Sequence, residues 1–458
     1  MAEANTIDVS EIIERQKLGG FLVGLVLVSW IITFFDGFDT NLISFAAPYF
    51  APDYHLSRVQ LGNIFAMGLL GTLIGGFVLG YLGDRIGRRP AVILATAAFG
   101  ALTMCFTFAS GYRSMVGLRL ATGIPLGGML PLAWSLNLEY VPKRYRATVV
   151  TLIMMGFSMG TGFGGPIAVW LIPQMGWKAV FVAGGVVSIV CAGILWLMLP
   201  ESIRFLASKG REPRRIARVL GRIDPDEHFA PDAKYVVADE PTVKKDFKPS
   251  LLFLGELKKI TPLVWLAYIS SSFAVYFLVN WTPLVFEALK FSRKDAATAA
   301  SLISLMGAIG GLVLMRFTDQ RGAVAVTVMP VMTMILLLVA SFVNFPQRAF
   351  IALIACIGFF LVGGQFGVIS VCGIFYPSAY RANGTGWASS VAKVGSVMGP
   401  LVGGWVLSTS LPVRNIFAVL AICPAVFAIC IYTVGRMHSR ILGREALEEL
   451  AQTAGVTR

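Results

Sequence analysis

The sequence is short of charge. Asp, Glu, Lys and Arg supply 14% of its 458 residues, whereas a soluble domain carries roughly a quarter. That excludes an ordinary water-facing surface. Histidine is scarcer: the 3 histidines, His55, His228 and His438, all lie outside the long apolar runs. A histidine proton relay inside those runs is thereby excluded. The 6 cysteines (Cys105, Cys191, Cys356, Cys372, Cys423 and Cys430) fall singly inside apolar runs. They lack the spacing of a disulfide frame or a zinc site and read as small apolar residues. No nucleophile–base pair and no metal-ligand cluster stands out, so neither an enzyme nor a metal is expected. Long polar segments are missing too. The longest, about Glu201 to Lys259, is too small for a catalytic domain of ordinary size. The first eighteen residues are polar, without the apolar core of a signal peptide.

What fills the chain is apolar. Hydrophobic residues make up 56% of it. Runs long enough to cross a bilayer as helices recur near 19–45, 59–82, 91–110, 114–137, 147–172, 178–199, 262–286, 297–316, 323–344, 348–373, 384–409 and 414–435. The expected fold is an all-α membrane protein with twelve transmembrane helices. The expected parts are an N-terminal segment (1–18), a first six-helix bundle (19–199), a linker with amphipathic helices (200–261), a second bundle (262–436) and a tail (437–458). The net charge of +13 could suggest nucleic acid, but its distribution excludes that. Placed by helix count, most of the 38 Lys and Arg lie on one side. The other side holds Arg58, Arg113, Lys178, Lys290, Arg293, Lys294, Arg348 and Arg414. That asymmetry sets both termini in the cytoplasm and suits anionic lipid headgroups.

The two bundles match at one offset of 235 residues. Asp84 and Gly87 correspond to Asp319 and Gly322. Pro142, Tyr145, Arg146, Ala147, Gly160 and Gly164 correspond to Pro377, Tyr380, Arg381, Ala382, Gly395 and Gly399. A tandem pair of six-helix repeats is the plan of transporters whose halves rock about a midplane site. In the linker, Arg211 to Ile223 can form a basic amphipathic helix on the membrane surface.

Asp36 and Asp39 interrupt the first run. Acids inside a span are costly and mark an ion or substrate path; a packing or capping role near the helix end is the plainer alternative. At i, i+3 they share a face. With the helix ending near Ala46, Asp39 lies about 10 Å and Asp36 about 15 Å below its outer end, and Arg119 about 9 Å below the same surface, at ~1.5 Å per residue. Arg119 is therefore expected to face Asp39, as a functional pair or as a static ion pair. Glu139, at the far end of the fourth span, reads as a gating or coupling group or as a solvated helix-end charge.

Several segments resemble the major facilitator superfamily. Gly80-Tyr81-Leu82-Gly83-Asp84-Arg85-Ile86-Gly87-Arg88-Arg89 is similar to its signature between helices 2 and 3. Arg119 with Gly123 and Gly127 resembles its helix 4 motif, and Pro200-Glu201-Ser202-x-Arg204 the motif closing helix 6. Within that superfamily, Asp36-Gly37-Phe38-Asp39 and Tyr376-Pro377-x-x-Tyr380-Arg381-Ala382-x-Gly384-x-Gly386-Trp387 are similar to the aromatic acid:proton symporter family. The chain departs from that pattern at Lys393, where many members carry Arg, and in lacking the histidine that some carry in helices 8–9.

The resemblance implies a proton symporter of the bacterial inner membrane that imports a small aromatic carboxylate. It implies no cofactor beyond the proton gradient, and a monomer suffices. Asp36, Asp39, Arg119 and Glu139 would serve proton coupling. Lys393, near the midplane, would meet the substrate carboxylate, or pair structurally with an acid of the first helix. Trp387, Tyr276, Asn280, Gln365, Phe35 and Phe38 offer the apolar walls and few polar groups that an aromatic ligand needs. Asp84, Arg85, Arg88, Arg89, Asp319 and Arg381 would form gates, the alternative being plain topogenic charge; Ala323 in place of the expected Arg weakens the second. The Gly395-x-x-x-Gly399-Pro400-x-x-Gly403-Gly404 run predicts close helix approach. Two rivals remain: a proton-driven exporter of drugs or aromatic products, and a non-transporting membrane sensor.

Overall fold

A computed structural model describes residues 6–16, 19–208, 212–223, 229–230, 233–237, 249–255, 257–321, 326–376 and 381–453. The first half runs β1 (Thr6–Asp8), α1 (Val9–Arg15), α2 (Gly20–Asp53), α3 (Arg58–Ile86), α4 (Arg88–Cys105), α5 (Tyr112–Tyr140), α6 (Arg146–Met175), α7 (Lys178–Met198), α8 (Ile203–Ser208), α9 (Pro213–Ile223) and β2 (Lys234–Val236). The second runs α10 (Leu257–Ala288), α11 (Arg293–Arg321), α12 (Val328–Phe342), α13 (Gln347–Phe375), α14 (Arg381–Ser408), α15 (Asn415–Leu420) and α16 (Ile422–Thr453). Among the described residues, 11 helices are long and apolar enough to span a bilayer, and Val328–Phe342 is a shorter apolar one.

Three boundaries differ from the sequence expectation. The first span continues to Asp53 with Pro48 and Pro52 inside it; helices in lipid tolerate proline because neighbours re-satisfy the freed backbone groups. The ninth is only 15 residues, Val328–Phe342, stopped just ahead of Asn344-Phe345-Pro346, as helices usually are before proline. The last helix runs on to Thr453, through the stretch expected as a tail.

The chain divides into two compact units, Met1–Leu56 with Met67–Lys245, and Ser57–Ala66 with Asp246–Arg458. Each is held by glycines that let helix backbones touch, and the offset of 235 reappears in those contacts. In the first unit, a Cβ on Gly160 of α6 would overlap the Phe34 carbonyl of α2; in the second, one on Gly395 of α14 would overlap the Ile269 carbonyl of α10. Gly75 of α3 meets Ile124 of α5 as Gly310 of α11 meets Phe359 of α13. Small residues are what allow such approach where lipid supplies no hydrophobic drive. The glycine run of α14 continues this: Gly403 leaves room for the Trp281 indole, whose N–H donates to the Pro400 carbonyl at 3.2 Å.

At the basic-loop end of the first unit the chain start and the linker fold together. Strands β1 and β2 pair in parallel, Thr6 opposite Lys234 and Asp8 opposite Val236. Val9 and Ile13 of α1 are buried in one apolar cluster with Leu206, Ile216, Val219, Leu220 and Tyr235. The Gln16 amide donates to the Tyr140 carbonyl, and Arg144 donates to the Gln16 carbonyl at 3.1 Å. This corrects one expectation. The apolar face of α9 is spent on protein, through Ile216, Val219 and Leu220, and not on the membrane surface. The partner that covers it lies some two hundred residues upstream, which no local pattern reports.

Candidate functional site

Asp36 and Asp39 are buried, 2% and 4% exposed, in the middle of α2. Because α2 extends to Asp53, Asp39 lies about 21 Å and Asp36 about 25 Å from its end, at ~1.5 Å per residue. Arg119 is about 10 Å from the start of α5 by the same rise, so the helix ends are not a common level from which the two positions can be counted. The two are nevertheless electrostatic neighbours. Gly68 of α3 makes room for the guanidinium, whose Nη2 would stand 3.0 Å from a Cβ there. On the other side, α7 meets Asp39. The Ser188 hydroxyl donates to its Oδ2 at 3.4 Å, and Gly184, one turn earlier, would set a Cβ 2.6 Å from Oδ1. Sequence reading missed both residues: a lone serine and a glycine in an apolar helix carry no signal without the register that aims them at Asp39. Phe38 is buried; Phe35 is half-buried and edge-on to Phe34 at 5.3 Å.

A second polar cluster closes the basic-loop end of the same unit. Arg88 forms an ion pair with Glu139, and the Ser202 hydroxyl donates to the same carboxylate. Glu139 is 8% exposed, so it is not a solvated helix-end charge. It also stands some 30 Å along α5 from Arg119 at ~1.5 Å per residue, with Arg88 and Ser202 and apart from Asp39. The Glu201 carboxylate accepts the backbone N–H groups of Arg88 at 3.0 Å, Arg89 at 3.1 Å and Ser202 at 3.0 Å. It thus caps the N-terminus of α4, where backbone donors and the helix dipole favour an anion. Gly87 takes φ +105°, and a Cβ there would meet Glu201, so glycine is required twice over. Arg89 donates to the Trp196 carbonyl. Asp84 and Arg85 are exposed, Arg85 lying 5.5 Å from the Tyr81 ring.

The second unit holds the other expected residues. Lys393 of α14 is half-buried. Asn280 is buried and donates to the Tyr276 carbonyl at 2.7 Å. Gln365 of α13 donates to the Ser272 hydroxyl of α10 at 3.0 Å. Trp387 is exposed and stacks on Trp265, centroids 6.4 Å apart and planes 16° from parallel. The side chains of Asp319 and Arg381 lie outside the described residues. At the offset of 235, Ser271, Ala274 and Ile354 stand where the first unit has Asp36, Asp39 and Arg119. The charged site is therefore not duplicated. Among the described residues no group of three or more His, Cys, Asp or Glu could hold a metal.

A family model described as Major Facilitator Superfamily matches residues 29–374. The chain belongs to that superfamily. Its relatives include a gallate transporter of Pseudomonas putida, 31% identical, covering 96% of this chain and 97% of the relative. The 4-hydroxybenzoate transporter PcaK of Acinetobacter baylyi is 30% identical, covering 94% of each. A 3-(3-hydroxy-phenyl)propionate transporter of Escherichia coli is 28% identical over 90% of this chain and 94% of the relative. Among solved structures, a bacterial homolog to the human lysosomal transporter Spinster, described as inward-facing and unoccupied, aligns with TM-score 0.63 over 92% of this chain and 98% of its own, at 16% identity; that likeness concerns the fold alone. This major facilitator protein is thus a multi-pass transporter of the bacterial inner membrane and not an enzyme.

Proposed function

We propose that this major facilitator protein imports a small aromatic carboxylate together with protons, by alternating access. The observation that carries the reading is the buried pair Asp36 and Asp39 with Arg119 beside it, in a chain whose relatives are named for gallate, hydroxybenzoate and hydroxyphenylpropionate. A carboxylate enclosed in low dielectric with a cation nearby has both protonation states within reach, burial disfavouring its charge and the cation favouring it. Asp36, Asp39 and Arg119 carry the proton. Lys393 attracts the substrate carboxylate, which desolvation strengthens. Tyr276, Asn280, Gln365, Trp387, Phe35 and Phe38 supply apolar and stacking surface. Arg88, Arg89, Glu139 and Glu201 hold the basic-loop end in order, with Asp84 and Arg85 at its exposed rim. The termini face the cytoplasm, a monomer suffices, and the proton gradient is the only energy source.

Uptake into proteoliposomes tests this, with labelled gallate and 4-hydroxybenzoate as probes. One proton per monovalent anion is electroneutral and gives about tenfold accumulation per pH unit, since each 1.4 kcal/mol is tenfold. A second proton adds the membrane potential, ~2.3 kcal/mol per 100 mV. Accumulation should follow an outside-acid gradient, collapse with a protonophore, and vanish in Asp39→Asn or Asp36→Asn. Uptake indifferent to the protonophore, or expulsion in its place, overturns the proposal.

A further inference from the structure

Resting on that symport reading, we propose that Ser188 is a positioning residue for the proton site, the hydrogen-bonded neighbour on α7 that serves Asp39 in both its protonation states. A proton carrier must remain buried as carboxylate and as carboxylic acid. Arg119 has donors only, so it can satisfy the ionised form and offers nothing to the acid's O–H. A serine hydroxyl both donates and accepts. At 3.4 Å from Oδ2, the Ser188 hydroxyl donates to the carboxylate; when Asp39 takes a proton, the hydroxyl rotates and its oxygen accepts a hydrogen bond from the acid's O–H. Oδ1 has no hydrogen-bond partner among the described residues, which leaves Ser188 as the neutral one. Ser188 is itself 2% exposed, closed off from bulk water.

Two observations separate this from ordinary helix chemistry. Hydroxyls inside helices commonly bond back to the carbonyl four residues earlier. Thr96, Thr122 and Thr333 do so here. The hydroxyl of Ser188 is instead aimed across at α2. The turn below it is also cut away: Gly184 is the residue whose Cβ would press on Oδ1. Ser188 and Gly184, at i and i−4, together form a niche shaped to the Asp39 carboxyl. Among the described residues, Arg119 and the Cys191 thiol, one further turn along α7, are titratable groups facing that carboxyl.

Reconstituted full-length protein tests the proposal with labelled gallate and 4-hydroxybenzoate in two modes. Gradient-driven accumulation requires Asp39 to gain and lose its proton in every cycle. Counterflow at equal, acid pH, where Asp39 keeps its proton on both sides, requires only that the loaded carrier shuttle. Ser188→Ala should lower accumulation about tenfold or more, the cost of a buried O–H left without an acceptor, and leave counterflow near the wild-type rate. Gly184→Ala, which fills the niche from the other side, should give the same split. Wild-type accumulation in Ser188→Ala overturns the proposal. So does an equal loss in both modes, which would mark Ser188 as packing. A wild-type protein whose uptake ignores the protonophore overturns the symport reading itself, before any variant is compared.

Discussion

Replacing Glu201 tests the account of the basic-loop end most directly. One of its oxygens accepts three backbone N–H groups, at 3.0, 3.1 and 3.0 Å, and the residue is 6% exposed. Hydrogen bonds to charged groups contribute about 1.5–3 kcal/mol each. Three donors share a single acceptor and two of them are only partly buried, so their sum belongs near the low end, about 4 kcal/mol. Glu201→Gln keeps an acceptor oxygen and loses the charge facing the α4 N-terminus, a loss of about 1 kcal/mol. Glu201→Ala loses both. A domain of this size moves about 2–4 °C in melting temperature per kcal/mol. The glutamine variant should therefore melt about 3 °C below wild type and the alanine variant about 12 °C below, each followed by tryptophan fluorescence in detergent. Equal shifts in the two variants would refute the argument that backbone donors, and not charge alone, make this contact. An alanine variant within about 2 °C of wild type would refute the whole assignment.

The remaining predictions concern the second unit and the repeat. Lys393→Ala should raise the half-saturating concentration of the aromatic acid about tenfold or more, with Lys393→Arg close to wild type; unchanged affinity in the alanine variant ends the assignment. Gly160→Leu and Gly395→Leu should each destabilise by several kcal/mol, because in both a side chain would have to displace a backbone carbonyl of the facing helix. Thermal melts in which only one of the pair suffers would contradict the equivalence of the two contacts.

Much of the fold was legible because lipid simplifies the code: every span must be long and apolar, so composition alone located the helices. The offset of 235, first read from loop motifs, proved to extend into helix contacts such as Gly75 on Ile124 and Gly310 on Phe359. What sequence misjudged were ends and partners. Pro48 and Pro52 look like terminators but sit inside α2, and so the end from which Asp36 and Asp39 were counted is not the end of the helix. Glu139 was left open between a gating or coupling group and a solvated helix end, because Arg88, its partner, lies fifty-one residues away. Ser188 and Gly184 gave no sign at all, since their meaning depends on which way α7 is rotated. Periodicity reports the face a helix hides, not the single side chain it hides against.

The parallel pair of β1 and β2 sets an order of events during synthesis. Residue 6 leaves the ribosome early, but its strand partner at residue 234 follows only after 228 further residues. At about 5–20 residues per second, the chain start waits about 10–45 s for its mate. For nearly all of that interval Val9 and Ile13 lack the Ile216, Val219 and Leu220 side chains that bury them. The linker strand is therefore the closing stitch of the first unit, made before most of the second unit has been translated. A ribosome stalled just short of Lys234 would hold six inserted helices with their N-terminal strand unpaired, and one stalled some forty residues later would release them sealed.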